Sequence, residues 1–141
     1  MIITQEIKKA IYAKYLTSTL WTSDAVSMYL DHVPQSVNYP IIVVHPISTG
    51  NNMAMPTVAN PIGWDYQDGI WDFVVYGNDR QNTNIIDIAC RLEDLYHRQS
   101  LPTGNGVTHI ATMSINESQS FYDQQQKIWK LLMHFRILAG R

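Results

Sequence analysis

From Lys127 to Leu138 the chain reads KIWKLLMHFRIL, and Trp129, Leu131, Met133, Phe135 and Ile137 alternate with Lys130, His134 and Arg136. A period of two sends side chains to opposite sides of an extended backbone, so the segment predicts a long strand with one wholly apolar face and one amphipathic face. Such a strand needs hydrogen-bonded neighbours and a second layer to cover its apolar side.

The neighbours are visible upstream. Trp71, Phe73 and Val75 alternate with Ile70, Asp72, Val74 and Tyr76, and Gly77, Asn78 and Asp79 then mark a turn. Pro40 opens the β-branched run Ile41, Ile42, Val43, Val44, which reads as a buried strand stopped at Pro46 or soon after. Ala25 to His32 sets Val26, Met28 and Leu30 against Ser27, Tyr29 and Asp31, which predicts a strand, with a short helix after Ser23 as the alternative. Val107 to Asn116 reads as a further strand.

The covering layer comes from two stretches with helical spacing. Ile3, Ile7, Ala10, Ile11 and Tyr15 form one stripe, with Thr4 as the expected cap and Glu6 in the expected first turn. Ile85, Ile88, Ala89, Leu92, Leu95 and Tyr96 form the second between about Asn84 and His97, with Arg98 at its negative end and Pro102 and Gly104 beyond. The expected fold is therefore α+β: a mainly antiparallel sheet of about five strands with two helices on one face, in the order α-β-β-β-α-β-β. Residues 1–141 are expected to form one domain, with a long apolar loop at 48–69.

The 141-residue chain carries a net charge of -2, which lacks the basic excess that phosphate contacts leave. Cys90 is its one cysteine, so an internal disulfide or a cysteine-cluster zinc site is excluded. The opening MIITQEIKK lacks the apolar core of a secretory signal, and no stretch approaches the ~20 apolar residues of a membrane span. The expectation is a soluble protein retained where it is made.

Catalytic and metal chemistry find no motif. His32, His45, His97, His109 and His134 show no metal-ligand spacing, although His109 and His134 could be neighbours on the last two strands. Half-buried strand histidines are the ordinary reading. Ser114, Ser118 and Ser120 follow His109 without a nucleophile elbow, and Cys90 is expected to be a packed thiol. Asp65, Asp68 and Asp72 lack calcium-loop spacing and read as solvated turn carboxylates. The GNG at Gly104 to Gly106 precedes a strand and not a helix, so it is no phosphate cradle. No enzyme activity, cofactor or metal is expected.

Three phrases carry a family resemblance: VPQSVNYPIIVV (33–44), WDFVVYGNDRQNTNIIDIACRLEDLY (71–96) and FYDQQQKIWKLLMHFRI (121–137). A proline-containing approach to an early strand, a strand with polar turn and amphipathic helix, and a long final strand after a polar connection resemble the tail-completion, or tail-terminator, family of tailed bacteriophages. The resemblance covers nearly the whole chain. It implies a structural virion protein that forms a ring, commonly a hexamer, ending the tail tube and joining the tail to the head. The implied partners are further copies of the chain, the tail-tube protein and a head-connector or stopper protein, with DNA only in passage and no membrane. The implied location is the tail-to-head junction of the virion, and the host cytoplasm before assembly. Another neck or tail-tube component, or a small-ligand binding protein or enzyme with an aromatic pocket rim, are the competing readings.

Within that frame the chargeless stretch STGNNMAMPTVANPIGW (48–64) offers Met53, Met55, Val58, Ile62 and Trp64 as a subunit or junction contact. The alternative is a loop folded onto its own domain with Trp64 as a core anchor. Tyr122 and Asp123, before the glutamine run 124–126, are a second candidate contact, or else part of an ordinary hairpin connection.

Overall fold

A computed structural model describes residues 2–54, 64–117 and 120–141. The expected α+β architecture is present, but with six strands and three helices. These are α1 (Ile2–Leu16), α2 (Thr19–Thr22), β1 (Ser27–Leu30), β2 (Ile41–Ala54), β3 (Trp64–Asn78), α3 (Asn82–Tyr96), β4 (Thr108–Glu117), β5 (Phe121–Asp123) and β6 (Ile128–Gly140).

The sheet runs β1-β2-β3-β6-β4, with β5 paired to the start of β6. The last strand therefore enters the middle of the sheet, between β3 and β4. That position accounts for its sequence: Met133, Phe135, Ile137 and Ala139 are buried to 1% exposure or less, on the same face as Ile42, Val44, Trp71, Phe73 and Val75. α1 and α3 cover this face with Ile3, Ile7, Ile11, Ile85, Ile88 and Leu92. Burying apolar area of this extent is the main stabilising term of the domain. At its centre Phe73, Tyr96 and Phe135 contact one another through tilted and edge-on rings, with centroids 4.8 to 6.1 Å apart.

Buried tyrosine hydroxyls tie the layers together. Tyr15 Oη donates to the Val26 carbonyl at 2.6 Å, and Tyr96 Oη donates to the Ile11 carbonyl at 2.7 Å. Burial pushes both the Tyr15 and the Tyr96 phenols up.

Several expectations are corrected. The sheet is mixed and not purely antiparallel, because β1 pairs with β2 in parallel, from Ser27 opposite Ile41 to Leu30 opposite Val44. Parallel pairing requires a crossover, and residues 31–40 supply it. β2 does not stop near Pro46. β1 ends opposite Val44, so β2 is an edge strand from His45 onward, where a proline is tolerated. An irregularity between Pro46 and Ser48 absorbs the proline, and the ladder resumes from Ser48 opposite Ile70 to Ala54 opposite Trp64. In place of the expected loop at 48–69, residues 48–54 and 64–69 continue β2 and β3, and from Tyr66 onward β3 pairs with β6 as well as with β2. α2 and β5, each a short element, were not expected at all.

Thr4 is not a cap, because α1 is already helical at Ile2; its hydroxyl accepts from Gln67 Nε2 at 2.7 Å. Glu6 lies past the first turn, and its carboxylate accepts from Asn105 Nδ2 at 2.6 Å and pairs with Lys9 at 3.3 Å. The Asn105 hydrogen bond holds this carboxyl below the usual carboxylate range, Lys9 and the Gly104 amide act in the same direction, and burial opposes them. An unfolded chain protonates Glu6 at a higher pH than the folded one. The stabilisation is thus complete above the ordinary glutamate range and is lost as pH falls through the lowered value. In urea unfolding between about pH 7 and pH 3, E6Q should lose less stability on acidification than the parent chain. Equal losses would remove Glu6 from the acid response.

Candidate assembly surfaces

The second face of the sheet carries a row of three cross-strand partners. His45 on β2, Asp72 on β3 and His134 on β6 lie opposite one another. His134 Nε2 is 3.2 Å from Asp72 Oδ1, and His45 Nε2 is 3.5 Å from Asp72 Oδ2. Ile41, Val43 and Val74 on the same face are also buried, and charged pairs flank them, Lys130 with Asp123 toward one end and Arg136 with Asp68 toward the other. Arg136 Nε donates to Asp68 Oδ1 at 2.8 Å and Nη2 bonds Asp68 Oδ2, a two-point pair. That guanidinium holds the Asp68 carboxyl below its usual range. Asp65, Asp68 and Asp72 are thus strand residues spread along β3, not carboxylates of one turn.

His109 and His134 are not neighbours. His109 faces the core side opposite Ala139, whereas His134 is opposite Asn116 on the second face. Both ring nitrogens of His109 are engaged: Nδ1 accepts from the Leu101 amide at 3.3 Å and Nε2 faces Thr112 Oγ1 at 2.7 Å. Burial pushes this imidazole toward the neutral form. Among the described residues no group of three or more His, Cys, Asp or Glu is placed to hold a metal ion. Ser114 offers its backbone amide to His97 Nδ1 at 2.9 Å, and Ser120 Oγ bonds Asn82 Oδ1 at 2.6 Å. These contacts support strands and turns and assemble no nucleophile and base. Cys90 is exposed on α3, not packed.

The edge strand β4 is closed by its own chain. After α3, Arg98 adopts φ 58° and its amide donates to the Thr112 carbonyl at 2.8 Å, one residue from the Ser114–His97 bond. This short segment occupies the middle of the free edge and blocks strand addition there. Irregularities at Ile110 and Ile115 distort both halves of the strand. Ile110, Met113 and Ile115 are exposed at 48%, 42% and 44%. A cleft of about 430 Å³ runs beside them, lined by Arg98, Gln99, Ser100 and His109 among others. Arg98 makes no side-chain pair among the described residues. On the opposite side of the molecule Asp24, Val26, Pro40, Asp87, Ile88 and Arg91 line a cleft of about 290 Å³.

Of the residues singled out in the sequence, Met55, Val58 and Ile62 lie outside the described residues. Met53 and Trp64 are placed as backbone positions at the end of the β2–β3 ladder, opposite Asp65 and Ala54. Tyr122 packs on Trp129 at 5.2 Å, and Asp123 pairs with Lys130 at 3.1 Å while accepting from the Gln125 and Gln126 amides. The Gln126 amide and then Lys130 hold the Asp123 carboxyl below its usual range. Tyr122 and Asp123 thus belong to the β5–β6 hairpin. The exposed residues of β4 and Arg98 were not foreseen. Their exposure depends on which strand lies at the sheet edge, and no local pattern carries that.

No family model matches the chain, and no curated protein matches its sequence. Solved structures do match in shape. A chain of the virion of a native gene transfer agent particle superposes with a TM-score of 0.71 over 99% of this chain and 98% of that one, at 11% identity. A second solved chain, carrying only a sequence label, gives 0.60 over 96% and 93%, at 10% identity. Although few residues agree, from end to end this chain has the fold of a gene transfer agent virion chain.

Proposed function

We propose that the chain is a structural component of a phage-like particle and acts there as the tail terminator. In this role copies form a ring, commonly hexameric in the family it resembles, that ends the growing tail tube and docks onto the head connector or stopper. The end-to-end likeness to a virion chain carries the reading. The side-chain inventory is consistent with it: the histidines, serines and aspartates described above are engaged in strand, turn and ion-pair contacts, and a protein that works by presenting surfaces needs no more. A net charge of -2 favours passage of DNA over its retention, since retention draws on phosphate contacts from basic side chains.

The stretch 48–64 is the proposed contact with a neighbouring copy or the junction, through Met53, Met55, Val58, Ile62 and Trp64, with Tyr122 and Asp123 as a second contact. Imaging of particles assembled with and without the chain tests the role. Heads and unjoined tails of uncontrolled length are expected in its absence. Normal tails joined to heads would overturn the reading, and complete loss of tails would move the chain to the tail tube. A variant with Met53 and Trp64 changed to Ser should reproduce the defect while melting as the parent does. A collapsed melting temperature would instead make these residues core anchors.

A further inference from the structure

The two clefts described above lie toward opposite edges of the sheet and differ in character. One is bounded by β4, the last strand on its side, and presents the unpaired Arg98 beside exposed Ile110 and Met113. The other sits between α3 and the residues leading into β1 and β2, the far side of the sheet. Its carboxylates outnumber its cations. Arg91 Nη1 is 2.5 Å from Asp24 and 3.6 Å from Asp87, and Nη2 bonds Thr19 Oγ1 at 2.7 Å, so a single guanidinium faces two carboxylates. The Asp24 and Asp87 side chains remain 48% and 67% exposed. Half-buried Pro40 supplies apolar surface between them, above a floor of buried Val26 and Ile88.

We infer that the β4-edge surface of one copy docks into the α3 cleft of the next, with Arg98 set against Asp24 and Asp87 and with Ile110 and Met113 over Val26, Pro40 and Ile88. The inference rests on the ring reading and supplies its contact. Two different surfaces on opposite sides of one subunit make a head-to-tail interface, the type that closes into a ring when the rotation between copies divides a full turn. The closed edge of β4 is part of the design. Since His97 and Arg98 occupy the middle of that strand, copies meet through side chains and not through a continued sheet, and open-ended strand stacking is avoided. The excess negative charge of one cleft and the unpaired cation of the other select this pairing over cation against cation.

Charge reversal tests it. R98E and D87R should each reduce the yield of head-joined particles by about tenfold or more, the effect of losing ~1.4 kcal/mol per contact. The double variant R98E/D87R restores the opposite signs and should recover most of that yield. Both positions are exposed, and thermal melting of the purified variants checks that each still folds. Normal yields from both single variants, or a double variant no better than its worse parent, would overturn the contact. If the parent chain is present in wild-type particles in either case, the structural role stands without this interface. If the parent chain is absent from particles, the role itself falls and the contact with it.

Discussion

Replacing Phe135 with alanine is expected to destabilise the folded chain by about 3–5 kcal/mol, the range for removing a fully buried aromatic ring. Phe135 is 0% exposed and lies on β6 between Trp71 of β3 and Ser114 of β4. Its ring is 4.8 Å from that of Phe73 and 6.1 Å from that of Tyr96, so it joins the middle of the sheet to α3. Two losses add. The transfer term of the ring disappears, and a cavity remains because the neighbouring Tyr96 is held in place by its hydroxyl bond to Ile11. Urea denaturation followed by circular dichroism reads the change directly. A loss under about 1 kcal/mol would mean that the surrounding rings collapse into the space and that this cluster does not organise the core. By contrast, Arg136→Ala, one residue along on the exposed face, removes a solvent-screened pair and should cost far less.

The contrast between those neighbours shows what periodicity can reveal. Alternation at Trp129 to Ile137 and the stripes at Ile3 to Tyr15 and Ile85 to Tyr96 report which side of an element meets the core, and burial agrees except that Trp129 and Leu95 are only partly buried against it. The signal is local because the pleat and the helical turn are local. What was hidden is non-local. The parallel placement of β1 depends on the path of residues 31–40, and the insertion of β6 between β3 and β4 joins segments that no short-range rule connects. Pro46 misled for the same reason. A proline ends a central strand but passes in an edge strand, and whether β2 is an edge depends on where β1 stops. The assembly surfaces inherit this limit: Ile110, Met113 and Ile115 read as ordinary strand residues until β4 is known to be outermost. Cys90 was misjudged differently, since a position beside the apolar stripe of α3 differs from it by one step around the helix.

Gly77→Ala should destabilise the protein by about 1–3 kcal/mol, although it adds a single methyl group at a position where the backbone needs no positive φ. Gly77 is buried in β3 just before the turn into α3. A Cβ at this position would stand 2.7 Å from Ile85 Cγ2 and 3.0 Å from Gln81 Cβ, closer than carbon atoms approach. Neither neighbour can yield freely. Ile85 is 0% exposed in the first turns of α3 and its β-branched side chain is stiff. Gln81 is the residue preceding α3; its Oε1 accepts from the Asn78 amide at 2.9 Å and its Nε2 donates to the Tyr39 carbonyl at 3.3 Å. The added methyl therefore lifts the start of α3 from the sheet and strains two loop contacts together. If Gly77 matters through this close approach, Ile85→Ala should cost less in the Gly77→Ala background than in the parent, because alanine lacks the Cγ2 methyl that the added Cβ would meet. A double-mutant cycle by urea denaturation measures that coupling. Strict additivity of the two losses would show that the clash is relieved elsewhere, and that α3 is not seated on β3 through Gly77.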